Sequence, residues 1–175
     1  MAPMTLLARP VRLRTYQPSD APAVNALVQR AFVSLEPHIP DWTGFAKGLG
    51  ALVDLADRSQ IILAEDAGEL VGVVGYVGPG QSKKAFFKPE WPIVRMLSVA
   101  PEARGHGIGR LLVLDCIQRA RADHAPLLAL HTSHVMRDAL ELYASLGFEW
   151  VQELPPMYGM SYGLYAKRLG DRFDT

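Results

Sequence analysis

The chain has 175 residues, with 18 Lys plus Arg against 18 Asp plus Glu, so its formal net charge is zero. This length suits one domain that buries roughly 70% of its unfolded surface and folds without a metal or disulfide framework. The balanced charge gives no footprint for nucleic acid or an anionic membrane, and the single cysteine, Cys116, excludes an internal disulfide or a cysteine zinc site.

Residues 1–10 read as a flexible lead, 11–169 as one domain and 170–175 as a tail. No apolar run approaches a membrane span and the N-terminus lacks a signal-peptide core, so the cytoplasm is the default location. Val11 to Tyr16 alternates apolar and polar residues and predicts a first strand. Pro18-Ser-Asp20 offers a cap, and Ala21 to Phe32 predicts a helix. Glu36 to Thr43, with two prolines, reads as a loop. Phe45 to Asp57 predicts a second helix, weakened by Gly48 and Gly50. Ile61–Glu65 and Leu70–Val77 are strands joined by Asp66-Ala-Gly-Glu69, the spacing of a hairpin. Gly78 to Pro92 is a long connection, and Ile93–Val99 a fourth strand. Gly107–Asp123 is a helix carrying Cys116 as a small core residue. Leu127–Thr132 is a fifth strand, and Arg137–Leu146 a helix stopped by Gly147. Phe148–Leu154 and Met160–Arg168 are two last strands, separated by Pro155-Pro156. Hairpins and helical crossovers both occur, so the pattern predicts a mixed sheet with helices on both faces, in the α/β or α+β class.

The chemistry concentrates after the fourth strand, in Arg104-Gly-His-Gly-Ile-Gly-Arg110. Gly105, Gly107 and Gly109 leave the backbone open to a close ligand. Free N–H groups at a helix start, reinforced by its dipole, bind anions, and Arg104 and Arg110 bracket the turn with charge-assisted donors. This is a cradle for a diphosphate. It lacks the Gly-Lys-Ser/Thr of a nucleotide P-loop and the G-x-G-x-x-G of a dinucleotide site.

Arg104-x-x-Gly107-x-Gly109, following Leu97-Ser-Val-Ala-Pro-Glu102, resembles the pyrophosphate-binding motif of the GNAT family of N-acetyltransferases. Ala139-x-x-x-Tyr143-x-x-x-Gly147-Phe148 resembles that family's second motif, and the element order is similar from Val11 to Leu169. The resemblance implies an acyl-CoA N-acyltransferase fold: a mixed, mostly antiparallel central sheet of about seven strands, flanked by helices. It implies acetyl-CoA as co-substrate, with no metal, and direct attack by a primary amine of a small molecule or peptide in a ternary complex. Leu97, Ser98 and Val99 would then pair with pantetheine in a gap between the fourth and fifth strands. The Val99 N–H would serve as oxyanion donor, and Arg104, Gly105, His106, Gly107, Ile108, Gly109 and Arg110 would hold the pyrophosphate, His106 through its backbone. Tyr143 would assist the leaving thiolate.

Two positions depart from the family pattern. Met136 stands where an asparagine is usual, which shifts that pantetheine contact to Ser133, His134 or water. Ile93 and Arg95 occupy the stretch where a glutamate base is usual. Candidate bases are therefore His131, whose ordinary pKa suits the task, and Glu36, with Glu90 and His134 behind them. The alternative function is a catalytically weak acyl-CoA-binding or sensing module of the same fold, and a longer acyl chain or a protein N-terminus would be a variant of the first reading. Neutral charge argues against strongly cationic acceptors, and a homodimer is possible in folds of this kind. The loops Glu36–Trp42 and Pro155–Tyr162 are expected to shape the acceptor pocket.

Overall fold

The computed structural model describes residues 10–170; the rest of the expected lead and tail lies outside them. Seven strands form one sheet: β1 Arg12–Thr15, β2 Gln60–Asp66, β3 Glu69–Val77, β4 Ile93–Val99, β5 Leu127–Ser133, β6 Glu149–Met157 and β7 Met160–Arg168. Their order is β1-β2-β3-β4-β5-β7-β6, antiparallel everywhere except between β4 and β5. The mixed, mostly antiparallel sheet expected from the sequence is the one observed.

Helices α1 (Ala21–Phe32), α2 (Trp42–Lys47) and α3 (Ala51–Asp54) cover one face, and α4 (Ile108–Ala122) and α5 (Arg137–Ser145) the other. Helix α1 buries Val24, Leu27, Val28 and Ala31, one stripe at helical spacing. Helix α4 buries Ile108, Leu112, Val113, Cys116, Ile117 and Ala120 against the opposite face, so Cys116 is a core residue. Arg14 ties β1 to the start of α1 by pairing with Asp20 at 2.8 Å and with Glu65 of β2 at 2.7 Å.

The structure differs from the sequence reading in two places that matter to the cavity. The helix expected over Phe45–Asp57 starts earlier, at Trp42, because the Asp41 carboxylate accepts from the Gly44 N–H at 3.0 Å. It then breaks into a 3-10 turn at Gly48–Gly50 before α3. Strand β6 runs on through Pro155 and Pro156 to Met157, with a register irregularity between Leu154 and Met157. It is an edge strand, where prolines forfeit no ladder bond on the open side. A two-residue turn at Tyr158 and Gly159, both with positive φ, joins it to β7. The Tyr158 carbonyl accepts from Asp41 N–H at 3.0 Å, which docks the hairpin tip on the start of α2.

Candidate active site

Two local irregularities open the sheet. Strand β5 meets β4 at a single pair, Ile93 with Ala129, and the strands diverge beyond it. On its other side β4 pairs with β3 through a register shift between Val73 and Gly75. Met96 sits at this shift with φ of 53°, strained for a residue with a side chain. Side chains alternate from Ile93 to Arg95, but the bulge turns Met96 to the same face as Arg95, the face of α1 to α3. Alternation then resumes, so Leu97 and Val99 pack on the α4 side.

The register also orients the backbone. Ala100 N–H donates to the Val71 carbonyl at 2.8 Å, and Val99 stands opposite Gly72. Successive residues of an antiparallel pair turn their amides alternately toward and away from the partner. The Val99 N–H therefore points away from β3, into the gap from which β5 has withdrawn. Ser98 is turned the other way: it is buried, and its hydroxyl donates to the Met96 carbonyl at 2.9 Å.

A cavity of about 1310 Å³ occupies the gap and runs from the start of α4 to the β6–β7 hairpin. At one end, Gly105 and Gly107 have φ of 81° and 78°, and a Cβ built on either meets nothing within 4 Å. Their surfaces face open space, as a cradle for a bulky anion requires. The helical ladder begins with Leu111 N–H on the Gly107 carbonyl at 3.0 Å, so the amides of Ile108, Gly109 and Arg110 have no helical partner. Gly109 works differently: a Cβ there would lie 3.2 Å from Leu142, so this glycine lets α4 approach α5. The Arg104 side chain donates to the Ala31 carbonyl at 2.6 Å, and Arg30 pairs with Glu102 at 2.5 Å. Both contacts fasten the end of α1 to the cradle. His106 is exposed, off the cavity, with its ring Nδ1 near the Ala103 and Arg104 carbonyls.

At the middle, Tyr143 of α5 lines the cavity while only 6% exposed. Burial pushes its phenol well above the ordinary range, so the hydroxyl keeps its proton and acts as a donor. His134 lines the cavity and its Nδ1 lies 2.9 Å from the Ser161 hydroxyl. Ser133 is fully buried and off the cavity, and Met136 takes a weak contact from Thr132 at 3.5 Å.

The far end is built from side chains. Phe45, Arg95, Met96, His131, Tyr158 and Tyr162 line it, with Lys84 from the long connection and His38 from the loop before α2. His131 is held between Phe86, Phe87 and Tyr162, with ring centroids 5.4 to 5.7 Å away. Its Nδ1 is buried without a partner. Burial first, then the charges of Arg95 and Lys84, bring its pKa down to about 3. It is neutral near pH 7 and too weak a base to draw a proton from an ammonium. Glu36 and Glu90 are exposed and off the cavity. The only carboxylates lining the cavity among the described residues are Asp138 and Glu141, both on α5. Sequence reasoning noted Arg95 only as the occupant of a glutamate position. It named no role for Lys84, and it placed Tyr158 and Tyr162 in the loop expected to shape the acceptor pocket without joining them to Arg95.

Among the described residues no cluster of His, Cys, Asp or Glu is arranged to hold a metal ion, and no helix is long and apolar enough to cross a membrane.

Comparison with known proteins agrees with this architecture. The model of the acetyltransferase (GNAT) family matches residues 21–148. A mycothiol acetyltransferase of Thermobispora bispora is 35% identical over 157 residues, covering 83% of this chain and 49% of its own. The chain spans about half the length of the curated relatives it matches first. A structure described as an acetyltransferase from Salmonella typhimurium with its cofactor acetyl-CoA superposes with a TM-score of 0.70 at 18% identity, covering 94% of this chain and 97% of its own. A ribosomal-protein-alanine N-acetyltransferase from Brucella melitensis gives a TM-score of 0.62 at 25% identity, covering 90% and 99%.

Proposed function

The chain belongs to the acetyltransferase (GNAT) family, and on that premise we propose that it is an acetyl-CoA-dependent N-acetyltransferase acting on a primary amine of a small molecule or peptide. The observation that carries the reading is the gap between β4 and β5, continuous with an open glycine cradle at the start of α4. Relatives named mycothiol acetyltransferase support a small-molecule acceptor.

In this reading the Ile108, Gly109 and Arg110 amides and the Arg110 side chain bind the pyrophosphate, with Gly105 and Gly107 providing close approach. Bound acetyl-CoA supplies an activated acetyl thioester. The outward amide of Val99 donates a hydrogen bond to the carbonyl oxygen as it gains negative charge, and it is already aimed before substrate arrives. Tyr143 keeps its proton and donates a hydrogen bond toward the departing sulfur. His134, at the cavity, is the remaining side-chain contact for pantetheine where Met136 offers no amide. Cys116, buried in the core on α4, takes no part, so the amine attacks directly.

A coupled assay for free thiol tests the reading, with acetyl-CoA and panels of amino acids, polyamines, aminoglycosides and peptides. Amine-dependent thiol release is the expected result. Tight acetyl-CoA binding without release on any panel would favour the sensing-module alternative.

A further inference from the structure

We propose that the far end of the cavity is a carboxylate-binding subsite, in which Arg95, backed by Lys84, holds a carboxylate that the acceptor carries near its amine. This deepens the transferase reading and rests on it.

Ordinary alternation along β4 delivers Arg95 to the α1–α3 face, and the bulge adds Met96 beside it. The Arg95 Cβ lies 3.4 Å from where a Gly75 Cβ would stand. The side chain is therefore rooted in the sheet beneath the cavity. Its Nε is buried and makes no hydrogen bond, and none of the four ion pairs among the described residues includes it. The guanidinium is therefore partly withdrawn from water, at its Nε, and none of those pairs gives it a counter-charge, so a ligand that supplies one is favoured. Its planar fork matches a carboxylate with two parallel hydrogen bonds.

Lys84 supports the assignment by contrast with its neighbour. The Lys83 ammonium is held by the Gly78, Gln81 and Pro89 carbonyls at 2.8, 3.0 and 3.2 Å and organises the long connection. Lys84 reaches the cavity instead, where its one hydrogen-bond partner among the described residues is the Met157 sulfur at 3.6 Å. Burial first, then the Arg95 charge, lowers the Lys84 pKa, and burial followed by the charges of Arg95 and Lys84 lowers that of His131. Tyr158 and Tyr162 line the same end, and burial pushes Tyr162 up to about 12, so its hydroxyl remains a donor. Every polar side chain converging here can donate, and the carboxylates that line the cavity among the described residues, Asp138 and Glu141, both belong to α5. The field of such a wall attracts a carboxylate. It also disfavours an ammonium beside it, which raises the neutral fraction of the acceptor amine. That gives a physical account of transfer without a carboxylate base, and it selects against polyamines and aminoglycosides.

The test compares amino acids with their matching amides, by calorimetric titration into coenzyme A-loaded protein and by free-thiol release. In the natural sequence the acids bind and react at least ~10-fold better than the amides, the size of one charge-assisted pair. Arg95→Met brings the ratio near one with acetyl-CoA affinity unchanged. Arg95→Lys keeps part of it, and Lys84→Met, at an exposed position, lowers it a few-fold without risk to folding. Amides that match the acids, or acids that fail to bind the natural protein, overturn the subsite while leaving the transferase reading intact. So does an Arg95→Met variant that loses acetyl-CoA affinity at an unchanged acid-to-amide ratio. Arg95-dependent binding of acids with no acetylation of any amine would instead sink the transferase reading and leave the subsite standing.

Discussion

The two ends of the cavity are made of different material. At the α4 end, the recognition proposed above rests on main chain: two glycines in left-handed conformation, three amides without helical partners and the outward amide of Val99. At the hairpin end it rests on side chains drawn from β4, β5, β7, the long connection and the β6–β7 turn. A backbone cradle recognises a charge and a shape that every homologous reaction shares. A side-chain wall recognises whatever the particular acceptor presents. If the two ends serve donor and acceptor as proposed, donor chemistry and acceptor choice can vary independently, because separate segments carry them.

The largest blow to the backbone end is Gly107→Val. With φ of 78°, a β-branched residue there is strained, and its side chain would stand in the open space of the cradle. Acetyl-CoA affinity is expected to fall at least ~10-fold, measured by calorimetry, while the acid-to-amide preference at the other end survives in any residual activity. Loss of both together would break the separation of the two ends.

Tyr143→Phe addresses the junction between them. The phenol is buried and keeps its proton, so its loss should lower turnover by roughly 10-fold or more with acetyl-CoA affinity nearly unchanged. Unchanged turnover would make Tyr143 a packing residue beside Phe148, whose ring centroid is 5.6 Å away.

The smallest effect belongs to the side-chain end and is read in stability. His131 has a folded pKa of about 3 against 6.5 in a free chain. Between those values the unfolded chain binds a proton that the folded one refuses. This contribution is complete above pH 6.5 and is lost as pH falls toward 3. The thermal midpoint should drop by roughly 5 °C from pH 6.5 to 4.5, and His131→Gln should remove most of that drop. Asp20, lowered to about 2 by its bond to Arg14, loses its contribution only below about 3.8, outside this window. A slope that persists in His131→Gln would place the proton uptake elsewhere.

Much of the fold was readable because its signals are local. Alternation marked β1, the span Ala21 to Phe32 after Pro18-Ser-Asp20 marked α1, and Gly147, with φ of 89°, ended α5 as expected. The Asp41 cap and the run of β6 through two prolines were less readable. The first is a side chain three residues from its target, and the second depends on the strand lying at an edge. The cradle was readable as a glycine spacing, although Gly109 packs helices and the Arg104 side chain holds α1.

By itself, the sequence determined what lies within a few residues along the chain: the periodicities, the turn glycines and a helix start that receives an anion. These depend on φ preferences and on hydrogen bonds between near neighbours. Only the tertiary structure decided that Arg95 would share a cavity with a lysine 11 positions earlier and tyrosines more than 60 positions later. Such convergence is created by strand pairing across the sheet. A shift of one residue in that pairing sends a side chain to the opposite face.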